Sequence, residues 1–245
     1  MLRPYRQSRV VAILEYSIVL LAYICIYLGI AAVEVMGPAE EAEISASDVP
    51  RLLVVTIGIN LIVFLGIGLL LMLIFNRLQM VQLTLQEQPL LSSAAWIAIV
   101  VLLLIIAVNG IHSFYHASGG VEQVDPVVEA LRGYFKSPWL VLAVGAPVMF
   151  LAAGLPEEFM RCYVIANGIR SKSTVLLYLA VLLTSAAFAA GHFYQGTVAM
   201  VSLFVVGLVF GIVYVIRQSF WTMVFLHTTY NVVVLLLPTL GLKQP

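Results

Sequence analysis

The chain has 245 residues, no net charge and 62% hydrophobic residues, with a mean hydropathy of +1.08. Only 10% of its residues are charged, against about a quarter in soluble globular domains, so a soluble globular protein is excluded. The balanced charge offers nothing to a nucleic acid, and the length accommodates about seven or eight spans of about 20 residues in one all-α membrane bundle.

Residues 1–9 carry Arg3, Arg6 and Arg9. The apolar run from Val10 to Val33 is too long for a signal-peptide core and lacks a convincing cleavage site, so it reads as a retained first helix. Glu15, in its first turns, is expected to stay wet near the headgroups. An acidic loop with Glu34, Glu40, Glu41, Glu43 and Asp48 leads to a second span from Leu52 to Phe75, closed by Arg77. Asn60 lies inside that span and is expected to bond across to a neighbouring helix. A polar linker over 77–90 precedes the third span, Leu91 to Ile111, where Trp96 suits an interface anchor.

Residues 112–137 form the longest polar segment. His112 and His116 are four apart, but no acidic partner or third ligand follows closely, so they read as part of a solvated loop. From Asp125 to Lys136, Val127, Val128, Leu131, Tyr134 and Phe135 alternate with Glu129, Arg132 and Lys136, the pattern of a short amphipathic helix in the interface. Pro138 and Trp139 open an apolar run that ends at Arg170 and Lys172. It is one long helix or two helices broken near Pro156, because proline removes a backbone donor. Spans from Thr174 to His192, Thr197 to Ile216 and Phe220 to Leu240 follow, the last two joined by Arg217-Gln218-Ser219.

Basic residues fix the orientation. With 138–169 as one crossing, Arg3, Arg6, Arg9, Arg77, Arg170, Lys172 and Arg217 share the cytoplasmic side, and Arg51, Arg132, Lys136 and Lys243 the other. A seven-span arrangement with the N-terminus inside fits best, and an eighth crossing ranks second. Cys25 and Cys162 both sit in apolar runs and are expected to be reduced core residues.

Three polar constellations lie in the last hundred residues. The first is Glu157-Glu158-x-x-Arg161, where Arg161 can reach either carboxylate on a helix. The second pairs Phe188 with His192, and the third His227 with Asn231, each four apart on one helical face. An ionised side chain at mid-bilayer costs roughly 2.5–3.5 kcal/mol, so buried charges in a membrane point to function. Two carboxylates, an arginine, two histidines and an amide are what water activation needs. A desolvated carboxylate holds a proton more readily and can take one from water. An amide or imidazole can steady the oxyanion of a tetrahedral intermediate. Glu157, His192 and His227 could alternatively hold zinc with an open fourth position, although no His-Glu-x-x-His is present.

These three constellations resemble the motifs of the CPBP family, the intramembrane proteases that include the CAAX prenyl-protein endopeptidase and bacteriocin-processing or Abi proteins. The family pattern is Glu-Glu-x-x-x-Arg, then Phe-x-x-x-His, then His-x-x-x-Asn. Phe188/His192 and His227/Asn231 match in full, within a resemblance that spans about residues 138–240. In the first motif two residues, not three, separate Glu158 from Arg161. Either Glu157 takes the place of the second glutamate and Pro156 that of the first, or Arg161 has slipped by one, about 100° around a helix.

The resemblance implies an N-terminal three-span region over 1–137 and a catalytic core over 138–240, together one membrane domain. It implies peptide-bond hydrolysis at or within the membrane of a membrane-associated, prenylated or peptide substrate. Glu157, or Glu158, is the expected general base, assisted by His192; His227 and Asn231 bind the oxyanion or the water. Arg161 and Phe188 position these groups. Family members are variously metal-dependent and glutamate-type, so the cofactor reading stays between zinc and none. The expected surroundings are a lipid bilayer, in the cytoplasmic membrane of a prokaryote, and a peptide or membrane-protein substrate. A catalytically silent scaffold or regulator of another membrane protein is the alternative. No internal repeat supports a transporter. One difficulty stands in the sequence: Glu157 lies roughly 18 Å from the Arg170 side and His227 roughly 10–15 Å from the Arg217 end, while His192 closes its helix. Tilt, short helices or a water-filled cavity must bring them together.

Overall fold

Long apolar runs must satisfy their backbone donors and acceptors internally, and a helix does so within one segment. The regular structure among the described residues is accordingly all helical. The computed structural model describes residues 9–36, 45–77, 90–121 and 126–242. Arg3, Arg6, Asp125 and Lys243, the acidic loop over 37–44 and the linker over 78–89 lie outside these residues.

Among them the helices are α1 (Arg9–Met36), α2 (Val49–Ile74), α3 (Leu90–Ala117), α4 (Pro126–Tyr134), α5 (Pro138–Arg170), α6 (Thr174–Ala190), α7 (Thr197–Arg217) and α8 (Phe220–Thr239). Six of them, all but α4 and α6, are long and apolar enough to cross a membrane. The 17-residue α6 is a shorter apolar helix between two of these. The expected bundle therefore has seven apolar helices, with no eighth among the described residues.

α5 is the axis of the fold. It contacts α1, α2, α6, α7 and α8, and every residue from Pro156 to Gly168 is buried. It is one continuous helical run through Pro147 and Pro156, with wide π turns at Val141–Gly145 and Phe150–Gly154. Pro156 has no N–H to give the carbonyl four residues back, which would otherwise stay unpaired. Asn60 of α2 supplies the missing donor, its Nδ2 lying 2.5 Å from Ala152 O. The bond across helices expected of Asn60 is present, and its partner is the gap left by the proline.

Glycines set two close crossings on α5. A Cβ on Gly154 would overlap Thr228 Oγ1 and lie 2.9 Å from Val224 O, both of α8. A Cβ on Gly207 of α7 would lie 3.0 Å from Ser185 Cα and 3.2 Å from Arg161 Nη1. Their missing side chains let α7 and α8 close on the charged segment.

Three expectations are corrected. Glu15 is not wet: it is 1% exposed, 2.8 Å from Arg77 Nη2 and 2.8 Å from Arg170 Nη2, and accepts from the Tyr163 hydroxyl at 3.2 Å. Two guanidiniums from distant stretches neutralise it, which a single-helix reading does not reveal. Cys25 faces outward, and only Cys162 is a core residue. His112 and His116 are not in a loop, because α3 continues to Ala117. The amphipathic reading of α4 holds: Leu131, Tyr134 and Phe135 pack with Val141 and Val232.

Candidate active site

Glu157 and Glu158 are neighbours on α5 and so point about 100° apart. Their environments differ accordingly. Glu158 is 0% exposed, and its Oε1 lies 3.1 Å from Arg161 Nε and 2.9 Å from His227 Nδ1. Of the two carboxylates within helical reach, Arg161 pairs with the one three residues back. The guanidinium, also fully buried, lies 4.5 Å from the centre of the Phe188 ring and 5.8 Å from that of Phe210. Its Nη1 donates to Gly207 O at 3.4 Å. Aromatic faces are a favourable seat for a desolvated cation, so Phe188 holds the arginine as the arginine holds Glu158.

Glu157 faces elsewhere. It lines a cavity of about 330 Å³ together with His192, His227 and Asn231. Its Oε2 accepts a hydrogen bond of 2.8 Å from the Tyr27 hydroxyl of α1. Sequence reasoning missed Tyr27. A signal existed: Tyr23 and Tyr27 are four apart in an apolar helix, and a buried phenol requires a partner.

His192 stands two residues past the end of α6 rather than on it. Its Nδ1 is 2.7 Å from Phe188 O. A carbonyl only accepts, so Nδ1 carries the proton and a neutral ring keeps a lone pair on Nε2. His227 is held the same way when Glu158 is ionised. Both imidazoles can then accept a proton at Nε2 and become donors once they have done so.

The depth difficulty resolves through α6. At 1.5 Å per residue it is only about 26 Å long, less than the roughly 30 Å of a hydrocarbon core. Its far end therefore meets the middle of α5, around Met149–Glu157, and the stretch His227–Leu235 of α8. The cavity gathers those three parts, and half-buried His112, exposed Arg132 and half-buried Gln195 border it. Among the described residues no three of His, Cys, Asp and Glu come together as a ligand group, Glu157, His192 and His227 included.

The cavity thus joins a carboxylate held by a phenol, two imidazoles of fixed tautomer and an amide, with an ion pair locked behind them. No curated protein and no solved structure matches the chain. Residues 137–233, which hold most of these groups, match the family model described as type II CAAX prenyl endopeptidase, Rce1-like. The resemblance to the CPBP intramembrane proteases is thereby confirmed over this segment, which is similar to the Rce1-like CAAX-type endopeptidases.

Proposed function

We propose that the protein hydrolyses peptide bonds of membrane-associated substrates, with Glu157 as general base. The observation that carries this reading is the unequal fate of the two glutamates. Glu158 is consumed by Arg161 and His227, whereas Glu157 lines the cavity beside His192, His227 and Asn231.

In this reading Glu157 takes a proton from water and the hydroxide adds to the scissile carbonyl carbon. Asn231 donates to the oxyanion, and His192 assists the proton transfer. The tetrahedral intermediate collapses with cleavage of the C–N bond, and the proton passes to the leaving amine. His227, fixed at Nδ1 by Glu158, accepts a hydrogen bond from the nucleophilic water at Nε2 and orients it. Arg161 and Phe188 keep that pair in place. The reaction as written uses no metal.

The test is cleavage of a candidate membrane peptide by the purified protein in lipid nanodiscs. Glu157→Gln is expected to lose about 10²–10⁴-fold in rate and Asn231→Ala about 10²–10³-fold, with both proteins still folded. His192→Ala belongs in the same set. Full activity in all three variants would overturn the protease reading. Full cellular function together with absent cleavage would instead support the scaffold.

A further inference from the structure

The cavity is graded in exposure. Among its lining residues Glu157 and His227 are buried, His112 and Gln195 half-buried and Arg132 exposed. Among the described residues Arg132 is the only lysine or arginine that lines it. It forms no ion pair with a carboxylate among the described residues, not even with Glu129, three residues earlier on α4. Elsewhere in the bundle, Arg77, Arg161 and Arg170 each sit against a carboxylate. Arg132 is thus an exposed cation, without a carboxylate partner, in a cavity that the Glu157 carboxylate also lines.

Val128 and Leu131 of the same helix also line the cavity, and Leu131, Tyr134 and Phe135 anchor α4 against Val141 and Val232. The helix is held in position, and its arginine shares the cavity wall with the apolar Val128 and Leu131. A guanidinium presents a planar fork of donors that fits a carboxylate in two parallel hydrogen bonds. At about 330 Å³, the cavity is at the small end of the roughly 300–1,000 Å³ usual for ligand sites. One peptide bound in this cavity can therefore meet both Arg132 and Glu157.

We infer that Arg132, bordered by His112 and Gln195, is a substrate subsite that binds a carboxylate of the peptide, either a terminal one or that of an acidic side chain. This inference rests on the protease reading for the substrate class but not for its test. Arg132 lies on α4, outside the segment matched by the family model.

The test reads binding, not cleavage. The full chain carrying Glu157→Gln is placed in phosphatidylcholine nanodiscs. Three fluorescent forms of one apolar heptapeptide are titrated: a free C-terminal carboxylate, a C-terminal carboxamide, and the carboxamide with one internal glutamate. At least one acidic form is expected to bind about tenfold or more tightly than the plain amide, the scale of a charge-assisted pair. Arg132→Gln removes the difference, Arg132→Lys keeps part of it, and Lys136→Gln, an exposed position that does not line the cavity, leaves it intact. Preference for the free terminus alone identifies a terminal carboxylate; preference shared by the internal glutamate identifies a side chain. Equal affinity for all three forms, including no measurable binding of any, overturns the subsite, as does a preference that survives Arg132→Gln. Dependence on Arg132 seen only when anionic lipid is added would assign the residue to a headgroup and also overturn it. Because the background cannot use Glu157 as a base, absence of proteolysis in the unmodified protein would leave this result standing.

Discussion

Tyr27→Phe isolates the contact that ties α1 to the site. The substitution deletes one hydroxyl, the donor 2.8 Å from Glu157 Oε2, and keeps the ring. A hydrogen bond to a charged group contributes about 1.5–3 kcal/mol. If the bond orients the base in the transition state, its loss lowers the rate by about 10–150-fold at 1.36 kcal/mol per decade. Stability should change little, by about 1 kcal/mol, because Glu157 borders a cavity where water can replace the phenol. Tyr27→Ala is the contrast. It removes a ring whose centre is 4.9 Å from that of Tyr23, 5.0 Å from Phe64 and 5.9 Å from Phe188, and emptying such a site costs about 3–5 kcal/mol. The assay pairs steady-state cleavage in nanodiscs with thermal unfolding followed by intrinsic fluorescence. The expected result for Tyr27→Phe is a fall in kcat with KM and Tm nearly unchanged. Unchanged kcat, or a Tm loss as large as that of Tyr27→Ala, would refute the positioning argument.

Glu158→Gln is expected to act on the fold rather than on the chemistry. It leaves Arg161 buried without its counter-charge, a change of about 3–5 kcal/mol, and detergent-extracted protein should show the drop in Tm; a stable but inactive variant would instead make Glu158 the base. For orientation, single cysteines replacing Ser8, Ser47 and Ser171 on a cysteine-free background are treated with an impermeant reagent from outside intact cells. Position 47 should label and positions 8 and 171 should not; outside labelling of 171 with 8 protected would overturn the seven-span arrangement. Elemental analysis of the purified protein should find no stoichiometric zinc, and activity should survive chelation. A metal lost together with activity in His192→Ala would refute the metal-free reaction.

The spans and the site differed in how far they could be read from sequence. Apolar runs show helices, because each helix satisfies its backbone within one segment, and the boundaries of α1, α2, α7 and α8 follow closely. The end of α3 was hidden because His112 and His116 look like loop residues when hydropathy alone is counted. The motif residues were legible because charge is rare in this chain. Their division of labour was not: whether Arg161 takes Glu157 or Glu158 depends on rotation about α5, which the widened turn at Phe150–Gly154 alters. Partners more than a hundred residues away, such as Tyr27 for Glu157 and Arg170 for Glu15, leave no local spacing to read.

The amide of Asn60 over the carbonyl of Ala152 has a consequence for modularity. A proline just before the two glutamates opens a hole in the helix, and a foreign side chain from the N-terminal region fills it. The segment matched by the family model is therefore not a transplantable cassette. Excised at residue 137, it would carry an unpaired carbonyl into hydrocarbon one turn from Glu157, and that glutamate would also lose its phenol. Any chimera that keeps the C-terminal helices must bring a donor at the position of Asn60, or give up the proline that creates the need for one.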